Sequence, residues 1–364
     1  MSRDTGSIVT VTGPIEPESL GVTMTHEHLF IDTVDALYTE PKSAIDRRIA
    51  GEPVSLETLP YVRRNGMQHR DNMRLESMDE AIDDVAQYVR AGGDAIVDVT
   101  PKNAGEDPEA VRAIARETGV TLIHGTAHYV RPVHPERIDQ MSVDEIAEEF
   151  VDDVESGIGN TDVRPGLIGE IGLSERIHEA EEKVTRAAAR AAVRTGAPVN
   201  FHPPGRTEHS QRDRTYPTSR WCLEILDMVE EEGLSPDRVV MSHMDRTVFE
   251  DLTYQRELAD RGAYLEYDLW GMEASLDQYG DAYMSDFQRL EFVSELIEDG
   301  YADRLLFSHD VYTKLQRTAY GGFGYAHVLE NVVPLLEKRS VSEETIEQIL
   351  VENPRRMLTF VEPE

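Results

Sequence analysis

The chain has 364 residues, 40% of them hydrophobic, with 70 acidic against 36 basic side chains and a formal net charge of -34. That length and apolar content suffice for a large core, as one α/β barrel or two smaller domains. The single cysteine, Cys222, excludes an internal disulfide and any cysteine-cluster metal site, and the acidic excess disfavours nucleic acid, whose phosphates need a cationic surface.

The N-terminal stretch MSRDTGSIVTVTG lacks the apolar segment of a signal peptide, and no apolar run is long enough to span a bilayer. A soluble, cytoplasmic protein is expected. Many acids lie in helical runs such as DEIAEEFVDDVESG (144–157), which read as solvated faces. This excess resembles the surfaces of proteins from salt-loving microbes, where ions screen self-repulsion, so a halophilic protein is expected.

In chain order, IVTVTGPIEP (8–17) reads as a short strand and turn, an N-terminal hairpin, and GVTMTHEHLF (21–30) as an apolar strand. Residues 31–72 read as irregular, with Pro41, Pro53, Pro60 and several arginines; long loops in compact domains often carry function. MDEAIDDVAQYVRAGG (78–93) is a helix stopped by glycine. Strands then alternate with helices. The strands are DAIVDVTP (94–101), VTLIHGTAHYV (120–130), PGLIGEIG (165–172), APVNFHPP (197–204), DRVVMSHMD (237–245), AYLEYDLWG (263–271) and DRLLFSHDVY (303–312). FGYAHVLENVVPLLEKR (323–339) and SEETIEQILVENPRRML (342–358) close the chain as helices.

Eight near-continuous apolar strands, each followed by helical sequence, indicate a parallel sheet covered by helices. The expectation is a (β/α)8 TIM barrel in one domain, residues 1–364, preceded by the short hairpin. No glycine-rich phosphate loop follows the first strand, so a doubly wound nucleotide-binding sheet is not expected.

Barrels place reactive groups at the carboxyl ends of their strands. That end offers His26 and His28 on strand one, Glu170 on strand four, His202 on strand five, His243 and Asp245 on strand six, and His309 and Asp310 on strand eight. Any one of these residues alone reads equally well as a polar strand end. Together, imidazoles and carboxylates at one end suit two borderline divalent cations. Two ions sharing a water supply hydroxide near neutral pH, and a carboxylate handles the proton. No G-x-S-x-G elbow exists for serine chemistry.

The ordered set, with GVTMTHEHL, DVTP (98–101), GTAHYV (125–130), GGFGYAHVLENVVPLL (321–336) and ENPRRML (352–358), resembles the phosphotriesterase family of the amidohydrolase superfamily over almost the whole length. The resemblance implies that His26, His28 and Asp310 hold a more buried ion and His202 and His243 a more exposed one, bridged by Glu170. PGLIGEIG has no lysine, so the chain is similar to the glutamate-bridged branch, the phosphotriesterase homology proteins, rather than to members bridged by a carboxylated lysine. Zinc is the typical ion, with iron, cobalt or manganese as alternatives.

The expected reaction is hydrolysis of a lactone or other carboxyl ester. A phosphotriester or N-acyl amide is the alternative, and a non-catalytic binding protein ranks below both. Asp310 is expected to accept the proton, Asp245 to support His243 or relay the proton outward, and Tyr129 to donate to a substrate oxygen. Asp268 reads as a substrate acceptor or as support for the adjacent shell. Arg63, Arg64, Arg70 and Arg206 are candidates for an anionic substrate group, because guanidinium reads carboxylate or phosphate bidentately; Arg74, Arg246 after Asp245 and Lys314 after the strand-eight motif belong to the same group of candidates. Ion pairing with surface acids is the plainer reading of each cation. A small-molecule substrate and a homodimer complete the expectations.

Overall fold

The computed structural model describes residues 4–174, 176–204, 218–246, 252–273, 275–276, 281–282 and 284–363. A hairpin of β1 (Ile8–Thr10) and β2 (Gly13–Ile15) precedes an eight-stranded sheet. The sheet strands are β3 (Thr23–Glu27), β4 (Ala95–Asp98), β5 (Thr121–Thr126), β6 (Leu167–Gly172), β7 (Val199–His202), β8 (Val239–Met241), β9 (Tyr264–Tyr267) and β10 (Leu305–Phe307). Neighbours pair in chain order and every pair is parallel. The last strand returns to the first: the amide of Asp310 donates to His26 O (3.1 Å), and that of His26 to Ser308 Oγ (2.9 Å). These contacts complete the TIM barrel.

The period-two alternation of each strand separates two cores. Ile96, Leu122, Ile168, Phe201, Met241 and Phe307 face out and pack beneath the helices. Ala95, Val97, Ile123, Leu167, Val240 and Leu306 fill the barrel interior, closed from below by Ile8, Leu20 and Leu358. Above this apolar floor lies a polar layer of Asn200, Ser242 and Glu266, all buried. The histidines stand on that layer.

The helices start and stop where the sequence signals. Ser77 caps Met78–Arg90, capping boxes at Ser142 and Ser285 open Val143–Ser156 and Asp286–Glu298, and left-handed glycines end Pro108–Thr118 and Glu179–Thr195. Two features differ from the sequence expectation. Residues 31–72 are not wholly irregular: Val34–Leu37, Ala44–Ile49 and Leu59–Val62 are short helices, and Ile31–Asp32 pairs with Arg74–Leu75. The two closing helices also each contain a π segment, Val328–Val332 and Gln348–Glu352. Pro334 and Pro354 each follow these segments after one intervening residue; proline lacks the N–H of the regular ladder and crowds the preceding turn, so the helix widens before it.

Candidate metal centre

Six side chains converge at the carboxyl mouth of the barrel. His26 and His28, two apart at the end of β3, point the same way and turn their Nε2 atoms to Asp310 Oδ1, at 3.8 and 3.2 Å. His202 Nδ1, from the end of β7, lies 2.8 Å from His243 Nε2 in the turn after β8. Glu170, on β6, stands between the two groups. Its Oε1 is 3.6 Å from His28 Nε2, and its Oε2 is 3.6 Å from His26 Nε2, 2.8 Å from His202 Nδ1 and 3.8 Å from His243 Nε2.

Ligand atoms about 2.0–2.1 Å from one ion in tetrahedral array lie roughly 3.3 Å from each other. The observed separations bracket that value for His26, His28 and Asp310 and for Glu170, His202 and His243. Two further observations fit a cation. His26 Nε2 is buried and has no hydrogen-bond partner. The opposite nitrogens are engaged: His26 Nδ1 lies 3.1 Å from Glu266 and 3.2 Å from Asp268, His28 Nδ1 lies 2.9 Å from Thr100 Oγ1, and His243 Nδ1 lies 2.8 Å from Asp268. Such outer partners fix ring orientation and tautomer in metal-ligating histidines.

The electrostatics are those of a crowded cluster. Burial opposes charge on His26, but the carboxylates of Asp268 and Glu170 overcome it and raise its pKa. Burial and the adjacent His243 push His202 down to about 4. Burial opposes ionisation of Glu170 and Asp268, yet the surrounding imidazoles hold both below the usual carboxylate range. Backbone strain gathers here too: His243 (φ 57°) and Asp310 (φ 49°) occupy the left-handed region that side chains with a Cβ rarely enter.

Glu27, between the two N-terminal histidines, points the other way. Its Oε1 accepts from Ser308 Oγ (2.7 Å), His309 N (2.8 Å) and His309 Nδ1 (2.6 Å), and its Oε2 from Val311 N (3.0 Å). With Nδ1–H donated to Glu27, His309 Nε2 accepts the Val328 amide (2.9 Å) at the head of the first π segment. His309 therefore braces the loop that presents Asp310 and faces away from the cluster.

The residues expected around the cluster divide. Tyr129 reaches it, with its hydroxyl 3.4 Å from His202 Nδ1. Asp245 does not support His243. Its Oδ2 accepts from Arg289 Nε (2.8 Å) and Leu269 N (3.1 Å), and burial lifts its pKa to about 6 against the pull of Arg289. The partner of His243 is Asp268, which is fully buried and accepts from the His243 amide as well as from its ring, so it supports ligands and does not face a substrate.

Among the arginines, Arg63 lines a cavity of about 450 Å³ with Met67, Trp270, Met272, Tyr312 and Phe323. Arg64 is exposed, Arg70 lies 3.8 Å over the Tyr38 ring, and neither lines that cavity. Arg74 pairs with Asp32 (2.8 Å) and Lys314 with Asp71 (2.7 Å). Arg206 lies outside the described residues. Among the described residues, the cation nearest the cluster is Arg246, with Nη1 3.4 Å from His202 Nε2 and Nη2 4.0 Å from Asp310 Oδ2. Glu266 is the supporting residue that the sequence reading passed over; it sits two residues before Asp268 in LEYD, so strand alternation puts both acids on one face.

Barrel enzymes do their chemistry at this end of their strands, and a carboxylate set between two imidazole groups is a donor set that could hold a pair of ions, as metal-dependent barrel hydrolases do. Within that class, the chain belongs to the phosphotriesterase family, whose model matches residues 6–358. It is 38% identical over 363 residues to the N-acetyltaurine hydrolase of Xenopus tropicalis, covering 99% of this chain and 100% of that one. Among solved structures it is similar to a resiniferatoxin-binding protein from Rhodobacter sphaeroides, with TM-score 0.91 and 38% identity over 98% of this chain and 97% of that one. It is also similar to the phosphotriesterase homology protein from Escherichia coli, with TM-score 0.75 and 27% identity over 93% and 99% of the two chains.

Proposed function

We infer that this hydrolase cleaves an N-acyl amide, with two divalent ions held at the barrel mouth. His26, His28 and Asp310 would hold one ion and His202 and His243 the other, with Glu170 reaching both. The position of Glu170, within 3.8 Å of all four imidazoles, is the observation that carries this reading. Imidazole and carboxylate donors suit zinc, which is the proposed ion. When bound, such a pair supplies hydroxide near neutral pH and polarises a carbonyl oxygen.

The protein's own groups do the rest. Glu266 and Asp268 hold the ring of His26, and Asp268 that of His243, so that their Nε2 atoms face the cluster. Asp310 turns Oδ1 to the histidines of β3 and leaves Oδ2 toward Arg246. Oδ2 is the atom that takes a proton from the attacking water and delivers it to the leaving nitrogen. The Tyr129 hydroxyl, beside His202, donates to the substrate carbonyl oxygen as it gains charge.

Full-length similarity to an N-acetyltaurine hydrolase favours the amide over the lactone expected from sequence. The test is a screen of metal-loaded protein at high salt against N-acetyltaurine, N-acyl amino acids, lactones, carboxyl esters and phosphotriesters. N-acyl amides should give the highest kcat/KM. A lactone or ester turned over faster than every amide would restore the earlier expectation. Elemental analysis should approach two ions per chain, and saturation at one would remove the bridging role of Glu170.

A further inference from the structure

The cavity of about 450 Å³ lies behind the loop that carries Asp310. His309, Val311 and Gln316 line it, and none of the six candidate ligands does. Gln316 links the two places, since its Nε2 donates to Asp310 O at 2.7 Å. The inner wall is apolar: Met67, Trp270 and Met272 are buried there, and Phe323 is half exposed at the opening. A concave apolar site of this size with few polar groups has the form of a small-molecule site.

The polar groups at its rim are of opposite sign. Arg63 and Glu273 both line the cavity and both are exposed. A Cβ built on Gly321, in the loop after β10, would stand 4.0 Å from Arg63 Nη2, so the guanidinium leans across the opening. No described carboxylate pairs with it, although the chain holds 70 acids against 36 cations. Glu273 Oε1 accepts the Asp286 amide (3.0 Å), which fixes the carboxylate beside the same opening. The two charges do not pair with each other. An acid alone would be repelled by Glu273 and an amine alone by Arg63. A zwitterion satisfies both, and being neutral it escapes the long-range repulsion that a formal net charge of -34 exerts on anions.

We propose that this cavity binds a free α-amino acid with an apolar side chain. Its carboxylate sits on Arg63, its ammonium on Glu273 and its side chain against Met67, Trp270 and Met272. The occupant touches Gln316 and so the loop that presents Asp310. The site is separate from the metal centre and does not rest on the amide reading.

Calorimetry on the full-length, metal-loaded protein tests it with four probes. L-phenylalanine carries all three features, phenethylamine lacks the carboxylate, 3-phenylpropanoate lacks the ammonium, and glycine lacks the side chain. A solvent-facing ion pair is worth at most about fivefold in affinity, so phenethylamine and 3-phenylpropanoate should each bind about two- to fivefold more weakly than L-phenylalanine. Glycine should bind at least about tenfold more weakly, because it buries no side chain. Trp270 lines the cavity, so a change in tryptophan emission supplies a second readout. Arg63→Gln should erase the preference over phenethylamine, and Glu273→Gln the preference over 3-phenylpropanoate. Both side chains are exposed, so the fold tolerates either change. An amino acid also chelates metal ions through the same two groups. Preferences that survive both substitutions would put L-phenylalanine on the ions and overturn the proposal. So would 3-phenylpropanoate binding as tightly as L-phenylalanine, or no binding of L-phenylalanine at millimolar concentration.

Discussion

Asp268 shows how much a buried carboxylate can settle by position. Its two oxygens hold the His243 amide, the His243 ring and the His26 ring, so one side chain orients donors from both halves of the cluster. Asp268→Asn keeps the shape but turns an acceptor into a donor at one oxygen. Metal affinity should fall about 10–100-fold, read by chelator competition; unchanged affinity would show that packing alone positions the rings. The sequence exposed the donors because each sits at a strand end, where period-two alternation can be counted. It offered Asp245 as the support of His243, a part that Asp268 takes, because adjacency in sequence is not adjacency in space. The cation that claims Asp245, Arg289, comes from a helix 44 residues on, and no local pattern announces such a pairing. Arg246 was legible as a cation near the site, but its direction depends on the fold of that turn.

Among the elements, the loops that carry the site are braced by buried ions. Arg289 is fully buried and joins three partners: Asp245 after β8, Asp286 at the start of its own helix, and Met272 O after β9, at 2.8, 2.9 and 3.0 Å. Removing the cation leaves Asp245 buried without its counter-ion, whereas Asp286 keeps His327 (2.6 Å), and breaking such a buried pair costs about 3–5 kcal/mol. Arg289→Met should therefore lower unfolding stability by about 3 kcal/mol, with partial recovery in Arg289→Met/Asp245→Asn; equal stability of the two variants would deny the pairing. The loop after β4 carries the opposite case. Glu106 has a buried oxygen without a partner, and burial lifts its pKa to about 7. A carboxyl whose folded pKa exceeds its unfolded value near 4.5 binds its proton more tightly in the folded state. Its contribution to stability is therefore greatest below pH 4.5 and declines as pH rises to about 7. Glu106→Gln should match wild type near pH 4.5 and exceed it by about 2 kcal/mol at pH 8 in urea titrations at fixed salt; a constant gap across that range would refute the assignment. Strand and helix order was plain from hydrophobic period, whereas the π segments were not, although both precede a proline that the sequence displays. The short helices of residues 31–72 lack enough turns for an apolar stripe to show.

At the scale of the whole molecule, charge dominates. With 70 acids and 36 cations, pairs such as Arg112–Asp162 and Arg190–Glu232 still leave a formal excess of 34 negative charges that repel one another. The screening length shrinks from about 10 Å at 0.1 M salt to about 3 Å at 1 M, so the melting temperature should rise from dilute buffer to concentrated potassium chloride. A fall would mean that attractive pairs outweigh the repulsion. One contact within this molecule also sets an order of events. Glu27 finds its partners 281–284 positions later in the chain, and the same span separates His26 and His28 from Asp310. During synthesis the first histidines leave the ribosome long before the loop that completes their site exists. Contacts of such separation form late and limit the folding rate. The proposed ions would accordingly be acquired by the finished polypeptide, and a nascent chain arrested before Ser308 would carry an open barrel with five of the six candidate ligands and no Asp310.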